Sequence, residues 1–107
     1  MSERGPRLRV GVLGGGQLGR MLAEAGAPLG MTFRFWDPGA AEPIQGLGEH
    51  IRAPWTDERA LESFIDGLDV ATYEFENVPV ALAERVQQRV ELRPGAIALE
   101  VAQDRVN

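Results

Sequence analysis

The stretch Leu8-Arg9-Val10-Gly11-Val12-Leu13-Gly14-Gly15-Gly16-Gln17-Leu18-Gly19-Arg20 sets the architecture. Its first six residues are mostly apolar and too few for a helix, which predicts a buried strand. Gly14-x-Gly16-x-x-Gly19 then follows that strand and opens a helix. Glycines there permit positive φ and remove Cβ atoms, so main-chain N–H groups can approach an anion at the helix N-terminus. The same glycines also serve a plain tight turn, and the loop alone does not choose between a dinucleotide and a sugar phosphate. Leu18, Met21, Leu22, Ala25 and Leu29 recur at helical spacing, predicting a helix over about Gln17–Ala27 with these residues inward.

Outward from this motif the chain alternates. Thr32–Trp36 predicts a second strand, stopped by Asp37-Pro38-Gly39. His50–Arg52 predicts a short third strand. Thr56 or Asp57 caps a second helix with Leu61, Phe64, Ile65 and Leu68 inward. Asp69–Glu74 predicts a fourth strand, and Pro79 the first turn of a third helix with Leu82 and Val86 inward and Arg85 and Arg89 outward. Val90–Arg93 predicts a fifth strand, and a last helix begins near Ala96. This alternation predicts an α/β fold, a Rossmann-like parallel sheet with helices on both faces. Residues 1–7 read as a flexible tail, 8–95 as a Rossmann-like domain, and 96–107 as the start of a further helical region.

Composition narrows the function classes. Of 107 residues, 44% are hydrophobic and 25% charged, which is ordinary globular usage and excludes wholesale disorder. Cys is absent, so disulfides, thiolate nucleophiles and Cys-ligated metals are excluded, and one His rules out a multi-histidine metal site. The net charge of −5, with 16 acids against 11 bases, argues against a nucleic-acid partner. All the bases are Arg, so this chain has no Schiff-base or P-loop lysine. No apolar run is long enough to span a membrane, and no signal-type segment follows the polar N-terminus. A cytoplasmic location is the expectation.

Two acidic features stand at strand ends. Asp37 lies where a dinucleotide fold places its ribose-binding acid, yet Asp-Pro-Gly is equally a turn. Tyr73-Glu74-Phe75-Glu76-Asn77 ends the fourth strand. In a 3-2-1-4 sheet that end faces the glycine loop across the crevice, with Glu74 and Glu76 projecting to one side. Such acids disfavour a pyrophosphate and suit an amine or polyol, the phosphate then sitting at the loop. A strand end emerging into water explains them too. Arg20 either reaches a bound phosphate or is a solvated helix arginine. His50 and Met31 read as structural or surface residues.

Gly14-Gly15-Gly16-Gln17-Leu18-Gly19-Arg20-Met21-Leu22, Trp36-Asp37-Pro38, Thr72-Tyr73-Glu74-Phe75-Glu76-Asn77-Val78-Pro79 and Gln103-Asp104-Arg105 together resemble the 5-(carboxyamino)imidazole ribonucleotide synthases. These are ATP-grasp enzymes of purine biosynthesis, also called the ATPase subunit of phosphoribosylaminoimidazole carboxylase. The resemblance runs from about Leu8 to the last residue. It implies the domain that precedes an ATP-grasp module, in an enzyme that uses ATP and magnesium to activate bicarbonate and carboxylate 5-aminoimidazole ribonucleotide. It also implies that Gly15, Gly16, Gln17 and Leu18 cradle the ribonucleotide, that Glu74 faces its amine with Glu76 a second contact, and that Arg105 touches ATP phosphates. No catalytic residue and no magnesium ligand are expected within this stretch, so the chain alone should be inactive. A homo-oligomer is expected from surfaces left exposed. The alternatives are an NAD(H)-binding module and a non-catalytic interaction domain.

Overall fold

The computed structural model describes residues 7–74 and 78–106, with side chains through residue 103. Four parallel strands, β1 (Arg9–Leu13), β2 (Thr32–Trp36), β3 (Glu49–Ile51) and β4 (Val70–Tyr73), lie in the order β3-β2-β1-β4. β1 is therefore flanked on both sides, and Leu13 is level with Trp36 on one neighbour and Tyr73 on the other. The helices are α1 (Gln17–Gly26), α2 (Glu58–Ile65), α3 (Val80–Gln87) and α4 (Ala96–Val106). This is the predicted α/β architecture. Among the described residues, no helix is long and apolar enough to cross a membrane.

Strand alternation divides the core into two layers. Val10, Val12, Phe33 and Phe35 meet Ala23 of α1 and the buried Ile44. Leu13, Trp36, Ala71 and Tyr73 face the other way, against Leu61 and Phe64 of α2, Leu82 and Val86 of α3, and Leu99 of α4. The α2 N-terminus is capped by Asp57, whose carboxylate accepts from the Ala60 N–H at 3.0 Å. At its C-terminal end, Arg34 from β2 places Nη1 within hydrogen-bond distance of the carbonyls of Ser63, Phe64 and Asp66. Those carbonyls have no partner inside the helix, so the guanidinium supplies one.

Two expectations are corrected. The apolar stripe of α1 faces outward: Leu18, Met21 and Leu29 are 42%, 63% and 75% exposed, Ala25 is exposed, and Leu22 is only partly buried. Gly19, Ala23 and Gly26 face the sheet instead. The rings of Phe33 and Phe35 already fill that layer, and a Cβ at Gly26 would lie 2.7 Å from Phe33. Only small residues fit between helix and sheet, as the close packing of the motif's last glycine requires. The second correction concerns Val90–Arg93. It forms a single bridge, Leu92 to Ala71, rather than a strand. The chain bends at Arg93-Pro94, which carries it away from β4 after that one bridge.

The outward faces of α2 and α3 are joined by arginines. Arg85 donates to both carboxylate oxygens of Glu58 at 2.7 Å, and Arg89 to those of Glu62. These hydrogen bonds hold both carboxyls below the ordinary glutamate range. A carboxyl with a depressed folded pKa stabilises the fold above its unfolded pKa, and that contribution disappears as pH falls through the folded value. Both pairs are exposed, so the effect is small and screened by salt. A side-chain NMR titration should place the Glu58 midpoint below that of an unstructured glutamate, moving upward in Arg85→Ala. A midpoint unmoved by that substitution would contradict the assignment.

Candidate functional site

The turn joining β1 to α1 is built from main-chain donors, each with a defined partner. The Gly14 N–H donates to the Trp36 carbonyl at 2.7 Å. Gly14 has φ +117°, a conformation L side chains rarely adopt, so this position needs glycine. The Gly15 N–H donates to Asp37 Oδ2 at 2.8 Å. The N–H groups of Gly16 and Gly19 both donate to Glu74 Oε2, at 2.8 and 3.1 Å.

Glu74 reaches this turn because β4 lies beside β1. Tyr73 points into the α2–α4 layer, so the next residue points to the α1 side. The α1 N-terminus has no side-chain cap of its own. Glu74 supplies one from 58 residues away, where a carboxylate is favoured by two orphan N–H groups and the helix dipole. A Cβ at Gly16 would lie 2.6 Å from Glu74 Oε1, so glycine there admits the carboxylate. Among the described residues, nothing donates to Oε1.

This changes the expected polarity. The sequence reading places free amides on one wall for a phosphate and acids on the opposite wall. The structure draws the two walls together, with the carboxylate of Glu74 lying on the amides. A carboxylate within reach of a helix N-terminus is itself the anion such a terminus attracts.

The other predicted residues are placed as follows. Gln17 and Leu18 are exposed in the first turn of α1, beside the glycines. Arg20 pairs with Glu24 at 3.0 Å on the outer face. The His50 ring donates through Nε2 to the Asp37 carbonyl at 3.2 Å, and Met31 packs beside Phe33. Glu76 and the side chain of Arg105 lie outside the described residues. Asp37 is both a turn residue and a loop partner: Oδ1 accepts from the Gly39 N–H at 2.7 Å and Oδ2 from Gly15. Both oxygens thus take part in fixing the loop backbone, which gives Asp37 a local structural role. The Asx turn was visible in Asp-Pro-Gly; the bond to Gly15 carries no local sequence signal. Among the described residues, no group of three Asp, Glu or His side chains is arranged to hold a metal ion.

A parallel sheet whose inner strand runs through a glycine turn into a helix has a counterpart among known domains. The chain belongs to the ribonucleotide synthetase preATP-grasp family, whose model matches residues 8–103. Within that class it is similar to the N5-carboxyaminoimidazole ribonucleotide synthase of Pseudomonas aeruginosa, with 48% identity over 98 residues, 92% of this chain and 27% of the relative. The N5-carboxyaminoimidazole ribonucleotide synthetase structure from Thermus thermophilus superposes with a TM-score of 0.80 at 57% identity, covering 88% of this chain and 26% of that one. The Aspergillus clavatus enzyme, solved with ADP and 5-aminoimidazole ribonucleotide, gives a TM-score of 0.65 at 32% identity over 88% of this chain and 26% of its own. The chain thus spans about a quarter of the length of these relatives.

Proposed function

We propose that this chain is the ribonucleotide-holding wall of an ATP-dependent enzyme that carboxylates 5-aminoimidazole ribonucleotide. In that reaction ATP phosphorylates bicarbonate to carboxyphosphate. The substrate amine then attacks the carboxyl carbon, phosphate leaves, and the amine gives up a proton. Residues Gly15, Gly16, Gln17 and Leu18 line the ribonucleotide, and Glu74 meets its amine. Glu76 is a second contact, and Arg105 reaches the ATP phosphates. ATP and magnesium are held mainly by the parts of such an enzyme that this chain does not span.

The observation that carries this reading is the Glu74 carboxylate fixed by two N–H groups through Oε2 while Oε1 has no donor. An acceptor so placed suits an N–H or O–H donor of the substrate. A substrate phosphate would compete with Glu74 for the same two amides, so the cations that hold it belong elsewhere in the site.

The test is a chimera in which this chain replaces the matching segment of the Thermus thermophilus enzyme. Phosphate release from ATP should depend on both the ribonucleotide and bicarbonate, while the chain alone should release none. Turnover by the isolated chain, or a chimera that ignores the ribonucleotide while the parental enzyme responds, would overturn the reading. Micromolar NADH binding would favour a dinucleotide module instead.

A further inference from the structure

We propose that Asp37 is a positioning residue that holds the glycine turn where Glu74 and the substrate meet it; this rests on the function proposed above. Asp37 stands at a junction of three strands' ends. Its N–H donates to the Ile51 carbonyl at 3.1 Å, and its own carbonyl accepts from His50 Nε2. Its backbone is therefore fixed by the end of β3, while its carboxylate reaches across to Gly15 beyond the end of β1. The Asx bond to Gly39 fixes the direction of that carboxylate.

The geometry divides the work between two acids. Glu74, from β4, takes the N–H groups of Gly16 and Gly19 and leaves one oxygen without a donor. Asp37, from the end of β2, takes Gly15 and has both oxygens occupied by main chain. The turn is thus suspended between carboxylates on either neighbour of β1. Glu74 keeps one oxygen without a donor, whereas each oxygen of Asp37 already accepts from the loop backbone, so Asp37 acts through the turn.

The segment that follows Asp37 closes the back of the turn. Ala41 has φ +53°, uncommon for a residue other than glycine, and its methyl lies 2.4 Å from where a Cβ on Gly15 would stand. The buried Ile44 packs against the same place. Strain of this kind persists where surrounding structure over-determines it. A plain turn former would need only the Gly39 bond; the bond to Gly15 is what assigns the positioning role.

Two substitutions separate these bonds. Asp37→Asn has one acceptor oxygen for two N–H donors. Asp37→Ser keeps a hydroxyl able to accept from Gly39 but is too short to reach Gly15. In the chimera, either variant should raise KM for 5-aminoimidazole ribonucleotide about tenfold while KM for ATP stays within roughly twofold. In the chain alone, amide exchange at Gly15 should speed up at least about tenfold with Leu13 unchanged. A purely structural role lowers the melting temperature without splitting the two KM values. An unchanged ribonucleotide KM in both variants, or unchanged Gly15 exchange, overturns the proposal. A wild-type chimera without ribonucleotide-dependent turnover instead overturns the function proposed above, and Gly15 exchange then decides alone whether Asp37 holds the turn.

Discussion

Glu74→Ala in the chimera is expected to lower kcat/KM for 5-aminoimidazole ribonucleotide by about 10- to 150-fold. The substitution removes the carboxylate acceptor assigned to the substrate amine. It also leaves the Gly16 and Gly19 N–H groups without their partner. A hydrogen bond to a charged group is worth about 1.5–3 kcal/mol, and an orphaned buried donor costs about 1–3 kcal/mol. The donors are orphaned in the free and the substrate-bound enzyme alike, so their cost falls on stability, while the lost substrate bond falls on kcat/KM at tenfold for every ~1.4 kcal/mol. Glu74→Gln separates the two effects. Its amide oxygen still accepts from both glycines, but its NH2 now faces the substrate's donor. Stability should therefore return close to wild type while kcat/KM remains at least about tenfold down. A Gln variant with wild-type kinetics would show that Glu74 caps the helix and nothing more. The Ala variant should also gain what the native chain lacks. Inorganic phosphate should shift its Gly16 and Gly19 amide resonances, because those donors are then open to an external anion.

Trp36→Ala is expected to be the most destabilising single change in the core. Trp36 is fully buried between Trp55 and Phe64, with ring centroids 5.5 and 5.8 Å away, both tilted. Its Nε1 donates to the Ala53 carbonyl at 2.9 Å, tying the chain after β3 to the end of β2. Truncating a buried Trp costs about 3–5 kcal/mol through lost transfer energy and the cavity left behind. For a domain of this size the total stability is about 5–15 kcal/mol. Each kcal/mol moves the melting midpoint roughly 4–8 °C. Circular dichroism should thus show a midpoint about 15–30 °C lower, or a chain already unfolded at 37 °C. Trp36→Phe, which keeps a ring and loses the indole bond, should fall between. A drop of under about 5 °C for the Ala variant would mean that the cluster around Trp36 contributes little.

The parts of this fold legible in the sequence are those written locally. Val10–Leu13 before three glycines, Thr32–Trp36 before Asp-Pro-Gly, and the spacing of Leu61, Phe64 and Ile65 each announce one element, and their alternation implies the parallel sheet. The orientation of α1 was not legible, because periodicity counts apolar residues and cannot see that Phe33 and Phe35 leave room only for Gly19, Ala23 and Gly26. Leu92 illustrates the converse. Its neighbours have strand character, yet the bend at Arg93-Pro94 ends the pairing after one bridge. At the site, both acids and all three glycines were visible as candidates. Their pairing was not, since Gly15 meets Asp37 22 residues away and Gly16 meets Glu74 58 residues away. Reading such pairs requires the strand order first, and then the alternation that aims Glu74 toward α1.

The central place of β1 in the sheet bears on how the molecule is made. The earliest of these four strands in the chain needs a neighbour on each side, and the second of these neighbours, β4, is the latest of the four. At roughly 5–20 residues per second, several seconds of translation separate Leu13 from Tyr73. For that interval the nascent chain carries one bare edge of β1 together with a helix N-terminus still awaiting its acid. Arrival of Val70–Glu74 closes both at once, so the same stretch that completes the sheet also supplies the carboxylate on the glycine turn.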